Sequence, residues 1–329
     1  MHSSRFFIAS AAALLVFLTQ STAAQSPLVE LRKGDSVIFI GNTLAERLQY
    51  FNHFETLLMV RFPDLELRVR NLGWSGDTLT LQPRPLNFGD ATKHLQEQKA
   101  DVIFAFFGLS ESFDGEAGLP RFERDLDGYL AAQTQATYNG RTPPRVVLVS
   151  PIAHERLPHL TQVDVDGRNR ELERYTEAMR RVAAQRGVPF VDLFTPTRRI
   201  MDQASAPLTA NGLHLTDHGD AIVAGLLMDA LGFTSRSTPV ASGAKLKQLE
   251  ALRAEIHDKN QQFFYRWRPV NAEYVVGRRV EPFGSVSFPP EMRQLDEILT
   301  DLDNRIWKRA RLIGAVRYPE PAGARRDAK

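Results

Sequence analysis

Four short segments of this chain carry side chains that can do chemistry near neutral pH. His214 ends the stretch Asn211-Gly212-Leu213-His214, directly ahead of an apolar, helix-like run. A loop histidine, with an ordinary pKa of about 6.5, can take and return a proton at working pH. Thr43 follows Gly41-Asn42. Its hydroxyl can attack an acyl carbon once a base removes the proton, or it can cap a helix that begins there; both readings stand. Ser110, within Gly108-Leu109-Ser110-Glu111-Ser112, can donate to a developing oxyanion or serve as a turn serine. His154 and Glu155 close the segment SPIAHE, residues 150–155. With His159 and Asp164 they are conceivable metal ligands, but the spacing matches no strong metal motif. Neither a metal nor another cofactor is expected.

Such residues need a scaffold that brings them together. Residues 36–40 (SVIFI), 66–71 (ELRVRN), 101–107 (DVIFAFF), 145–150 (RVVLVS) and 188–193 (VPFVDL) are short apolar or alternating runs that predict strands. Between them, residues 43–61, 122–135 and 169–186 have helical spacing, and 215–231 closes the unit. Strands alternating with helices predict an α/β protein: a five-stranded parallel sheet with helices on both faces, in three α/β/α layers. In such sheets sites form at the carboxyl ends of the strands. The loops at 41–43, 73–78, 108–112 and 150–155 all fall there.

The blocks FIGNTL (39–44), NLGWSGDT (71–78), FGLSES (107–112) and NGLHLTDHG (211–219) stand in an order and context that resemble the SGNH/GDSL ester hydrolases. The resemblance spans roughly residues 36–231 and implies a flavodoxin-like fold. It further implies that Thr43 takes the place of the family's nucleophilic serine, with Asn42 beside it. Gly76 matches the glycine whose N–H helps form the oxyanion hole. Ser110 takes the place of the asparagine that completes that hole. His214 matches the general base, and Asn211 takes the place of the acid that orients it. Asn211 lacks that acid's charge, although its carbonyl oxygen can accept from the ring Nδ1–H if the amide is turned that way. Asp217, Asp77 and Glu111 are acids on nearby loops that can compensate. In the family, the loop holding His154 shapes the cleft. The whole chain is also similar to exported bacterial proteins that carry GNTL in place of GDSL.

Composition narrows the function. Of 329 residues none is cysteine, which excludes disulfides, thiolate metal sites, cysteine nucleophiles and a cysteine-linked lipid anchor. Arg5, the apolar run 6–18 and small residues ending at Ala24 predict a signal peptide over residues 1–24, hence export to the periplasm or cell exterior. Losing Arg5 takes the net charge from +2 to +1, which gives no pull toward nucleic acid. No later segment reads as a membrane span, and nothing specifies an oligomeric state. The main domain is expected over 25–233, with a linker at 234–243 rich in Ser, Thr, Pro and Gly. Amphipathic spacing near 246–256 and 292–306 predicts a helical appendage over 244–318, which must dock to bury its apolar faces. Residues 319–329 are expected to be disordered. The stretch 263–284 interleaves arginines with aromatics and suits either domain packing or sugar binding. The expected activity is ester hydrolysis, with carbohydrate acyl or acetyl groups as the expected substrates; the alternative is a cleft that binds a glycan or protein partner without turnover.

Overall fold

The structure, a computed structural model, describes residues 27–319 except Arg236 and Val270. The expected signal peptide, 1–24, and residues 320–329 of the expected tail lie outside them. Five strands, β1 (Ser36–Gly41), β2 (Arg68–Asn71), β3 (Val102–Phe106), β4 (Arg145–Val149) and β5 (Phe190–Val191), form one sheet. Their order is β2-β1-β3-β4-β5 and every pair is parallel. This is the flavodoxin-like order, which reverses direction between β1 and β3.

The strands are apolar on both sides because both faces are covered. Val37 and Phe39 of β1 face one core, and Ile38 and Ile40 face the other, as the two-residue period of a strand requires. The first core is closed by α1 (Thr43–Phe51), α2 (His53–Arg61) and α7 (Asp217–Ala230). The second is closed by α3 (Ala91–Glu97), α4 (Gly115–Gln135) and α5 (Val165–Arg186). A short helix, α6 (Phe194–Met201), follows β5.

Where a single helix is expected over 43–61, there are two. Asn52 adopts a left-handed φ of 63° between them, a conformation asparagine tolerates better than most residues. Its backbone N–H closes α1 on Leu48 O, and its carbonyl accepts from Thr56 Oγ1 at 2.7 Å. The fifth helix starts at Val165 rather than 169, because Asp164 caps it by accepting from Gly167 N.

Beyond 233 the chain forms α8 (Gly243–Trp267) and α9 (Phe288–Ile313). Contacts between Lys245 and Ile313, Glu255 and Arg309, and Arg266 and Asp296 make the pair antiparallel. It lies along β2, the edge of the sheet. Lys259 Nζ donates to Val69 O at 2.9 Å and Trp307 Nε1 to Leu67 O at 2.9 Å. Two carbonyls along that edge are thereby satisfied, and the helices cover part of it. Among the described residues no helix is long and apolar enough to cross a membrane.

Candidate active site

The reversal between β1 and β3 puts the ends of these strands beside one crevice. Gly41 has φ +128° and a Cβ there would fall 2.0 Å from Phe106 O. Only glycine allows that approach, which lets Asn42 N donate to Phe106 O at 3.0 Å. Asn42 and Thr43 are thus held against the loop that follows β3. Asn42 caps α1, its Oδ1 accepting from Leu44 N at 3.3 Å. Thr43 is the first residue inside the helix, and its hydroxyl makes no hydrogen bond among the described residues. Capping therefore falls to Asn42, and the Thr43 hydroxyl is left for other work.

Two glutamates fix the loops that supply candidate oxyanion donors. Glu111 accepts from Leu79 N at 3.0 Å and from Gly108 N at 2.9 Å, tying the loop after β2 to the loop after β3. Burial pushes its carboxyl up, and these backbone donors pull it back. Glu46, one turn into α1, accepts from Ser75 N at 2.5 Å and from Arg268 Nη1 at 2.9 Å. Gly76 follows Ser75 in an exposed turn with φ +84°. The hydroxyl of Ser110 makes no hydrogen bond among the described residues.

The His214 loop is pinned by the residues after β4. Glu155 is buried and accepts from Leu208 N at 2.9 Å, from Thr209 N at 2.6 Å and from Thr209 Oγ1 at 2.5 Å. Its own N–H donates to Gly212 O at 2.9 Å. Gly212, with φ +90°, packs on the buried His154 ring, and a Cβ there would come 2.3 Å from His154 Cε1. Burial pushes the His154 pKa down and so favours the uncharged ring. These two residues therefore shape the loop, with both Glu155 oxygens engaged by the chain at 208–209.

The orientation of Asn211 decides the state of His214. Asn211 Oδ1 accepts from His214 N at 2.9 Å and from Leu213 N at 3.3 Å. Two backbone donors thus fix which end of the amide is oxygen. The other end, Nδ2, lies 3.1 Å from His214 Nδ1. An amide nitrogen only donates, so Nδ1 accepts, and the neutral ring carries its proton on Nε2. This is the opposite of the arrangement in which a carboxylate holds Nδ1–H and leaves Nε2 free as a base. None of the expected compensating acids replaces it. Asp77 pairs with Arg84, Glu111 holds backbone amides, and Asp217 receives His53 Nε2 at 2.9 Å and Arg253 Nη1 at 3.1 Å. Burial pushes the His214 pKa down, and the nearby Arg47 guanidinium adds to this.

Thr43 borders a small, mainly apolar pocket lined also by Leu44, Arg47, Leu109, Pro151, Ile152, Leu213 and Leu215, which neither Ser110 nor His214 itself lines. It joins the start of α1, the loop before Ser110, the loop after β4 and both neighbours of His214. Gly76 is not among the lining residues and stands in a separate turn braced by Glu46. Arg47 was missed in the sequence; its one signal is its position four residues after Thr43, on the same face of α1.

A sequence model of the GDSL-like Lipase/Acylhydrolase family matches residues 34–222. The chain belongs to this family. No curated protein matches it by sequence. Among solved structures, a gut microbial diltiazem-metabolizing enzyme is similar at 13% identity and TM-score 0.63. That match covers 85% of this chain and 96% of the other, so the shared fold extends past the family's span. An acetylxylan esterase from Geobacillus stearothermophilus is similar at 18% identity and TM-score 0.48, covering 64% of this chain and 100% of the other. An α/β hydrolase from the metagenome of Lake Arreo, Spain, stands at 20% identity and TM-score 0.48, covering 62% and 98%.

Proposed function

We propose that the chain is an exported ester hydrolase that removes a short acyl group, such as acetyl, from a carbohydrate ester. The observation that carries this reading is the pocket beside Thr43: an unengaged hydroxyl at the start of α1 borders an apolar wall of Leu44, Leu109, Ile152 and Leu215. A small apolar wall suits a methyl group better than a long acyl chain. Export rests on residues 1–24. The carbohydrate side rests on the family resemblance and on Phe113, an exposed ring three residues after Ser110 on which a sugar can stack.

In this reaction Thr43 Oγ attacks the acyl carbon and its proton passes to His214 Nε2. The carbonyl oxygen gains negative charge and is met by backbone N–H groups at the start of α1 and by Ser110 Oγ, while Gly76, in its separate turn, would have to swing toward the pocket to join them. The C–O bond to the alcohol breaks, and the leaving oxygen takes the proton from Nε2. Water then repeats the sequence on the acyl-threonine, releasing the acid and restoring the hydroxyl. In the alternative route, His214 activates a water that attacks directly. Both routes need Nε2 free, and the Asn211 amide opposes that tautomer, so turnover is slow. The same amide favours a second reading, in which the cleft binds an ester or glycan without turnover.

Hydrolysis of a panel of acetylated sugars and aryl acetates tests these readings. We expect release of acetate by the parent, retention or gain in Thr43→Ser, and loss in Thr43→Val and His214→Ala. Retention in Thr43→Val with loss in His214→Ala selects the water route. Saturable binding without acetate release selects the second reading. Turnover untouched by all three substitutions places the chemistry elsewhere.

A further inference from the structure

Arg47 is an unusual cation for this protein. Most of its arginines near the core are paired: Arg70 with Asp303, Arg84 with Asp77, Arg145 with Asp35, Arg268 with Glu46 and Arg253 with Glu250. Arg47 forms no ion pair among the described residues, and its Nε is buried with no hydrogen-bond partner. The guanidinium lies over the face of Tyr50, 4.9 Å from the ring centroid. An unpaired cation that is partly buried is costly unless something else meets it.

Its surroundings are arranged to stay positive. The neighbouring glutamate, Glu46, is taken by Ser75 N and Arg268. Asp220 is close enough to feel Arg47, but burial pushes its pKa up to about 8, so at neutral pH it is largely protonated. Asp217 is held by His53 and Arg253. The Thr43 hydroxyl in the same pocket can donate, and His214, whose two neighbours line the pocket, carries its proton on Nε2. Carboxylates recognise such a set, because a guanidinium offers paired N–H donors in the plane a carboxylate presents.

We propose that Arg47 sets substrate class, selecting esters that carry a carboxylate near the scissile bond, such as acylated uronic or hydroxy acids. This rests on the hydrolase reading only in where it places the ester; the recognition of the anion by Arg47 stands apart from turnover. The guanidinium reads the negative charge one helical turn from Thr43, while the apolar wall takes the acyl group.

The test compares 4-acetoxybenzoate with its methyl ester, which share the acetyl group and differ in one charge. For the parent we expect kcat/KM at least ten-fold higher for the charged ester at low ionic strength, with the advantage shrinking as salt is added. Arg47→Gln should bring the ratio close to one, and Arg47→Lys should keep part of it, since the charge remains but the paired geometry is lost. A melting curve on each variant shows that it is folded. An equal ratio in parent and Arg47→Gln overturns the proposal, as does a parent that prefers the neutral ester. If neither ester is hydrolysed, the hydrolase reading fails and calorimetry decides the proposal alone. Binding of 4-acetoxybenzoate that weakens at least ten-fold in Arg47→Gln supports it. Equal affinity in the two proteins, or no binding to the parent, overturns it.

Discussion

Two regions of the molecule take polar groups out of water to different degrees and treat them in opposite ways. Where α8 crosses β2, Lys259 is fully buried, yet its ammonium meets Glu55 at 2.5 Å and Val69 O at 2.9 Å. Asn260 Nδ2 takes the second Glu55 oxygen at 2.7 Å, although its own Oδ1 is left without a partner, and Arg70 meets both oxygens of Asp303. In the cleft, by contrast, the hydroxyls of Thr43 and Ser110 and the guanidinium of Arg47 have no partner among the described side chains that bond to them. Asn42 Nδ2 is buried there without a partner as well. Polar groups that pair with each other specify how helices dock. Polar groups left unpaired at a strand-order reversal stand where α/β sheets of this kind form their sites, which suits the ligand cleft proposed above.

Restoring the missing acid should produce the largest effect. Asn211→Asp would put a carboxylate where Nδ2 now sits, so the ring proton moves to Nδ1 and Nε2 becomes the base. In serine proteases the reverse change costs about four orders of magnitude in kcat. The expected outcome is a large rise in acetate release, up to about 10⁴-fold if proton transfer limits the rate. Steady-state kinetics on the best ester of the panel would measure it. An unchanged rate would mean that His214 is not the base, and the contrast between the regions would then lose its catalytic meaning.

The docking region should fail through stability instead. Lys259→Met leaves the Glu55 carboxylate buried beneath α8 without its cation. Breaking a buried pair in this way costs about 3–5 kcal/mol. Thermal or urea denaturation should show the loss. Rates measured well below the melting temperature should stay close to the parent's, because neither residue lines the pocket. Replacing both, as Lys259→Met with Glu55→Leu, should recover much of the stability, since no charge is then left unpaired. A Lys259→Met protein that is as stable as the parent would show that this network does not hold α8 in place.

The contrast also explains what could be read from the sequence. Strands 36–41 and 102–106 were legible because a sheet covered on both faces demands unbroken apolar runs, and this sequence supplies them. The parallel sheet and a site at its carboxyl ends followed from alternation with helices, whereas the flavodoxin-like arrangement rested on the family resemblance. The short helices at 91–97 and 194–201 were not legible; each has few buried residues, so its apolar period is faint. The break at Asn52 was hidden because the apolar pattern continues across it. In the cleft, residue types were legible but their states were not. That Asn42 and not Thr43 caps α1 depends on a difference of one residue in where the helix begins. The tautomer of His214 depends on backbone N–H groups of Leu213 and His214 that claim one end of an amide, which no residue spacing reveals.

The smallest expected effect is on pH dependence, and it ties Arg47 to His214. A general base works only when unprotonated. Burial and the charge of Arg47 both lower the His214 pKa, so the active form persists to a lower pH than an ordinary histidine would allow. The rate should therefore be level through neutrality and fall only below the usual histidine range. Arg47→Gln removes the charge and leaves the burial, which shifts the acidic limb toward higher pH without carrying it past the ordinary value. Asn211→Asp moves the limb the same way, because a carboxylate on Nδ1–H stabilises the imidazolium that the present amide disfavours. Profiles of kcat/KM against pH for a neutral ester, on which Arg47 has no charge to recognise, isolate this effect from substrate selection. A limb that stays fixed in both variants would show that some group other than His214 sets it, and that the unpaired donors of the cleft act only in binding.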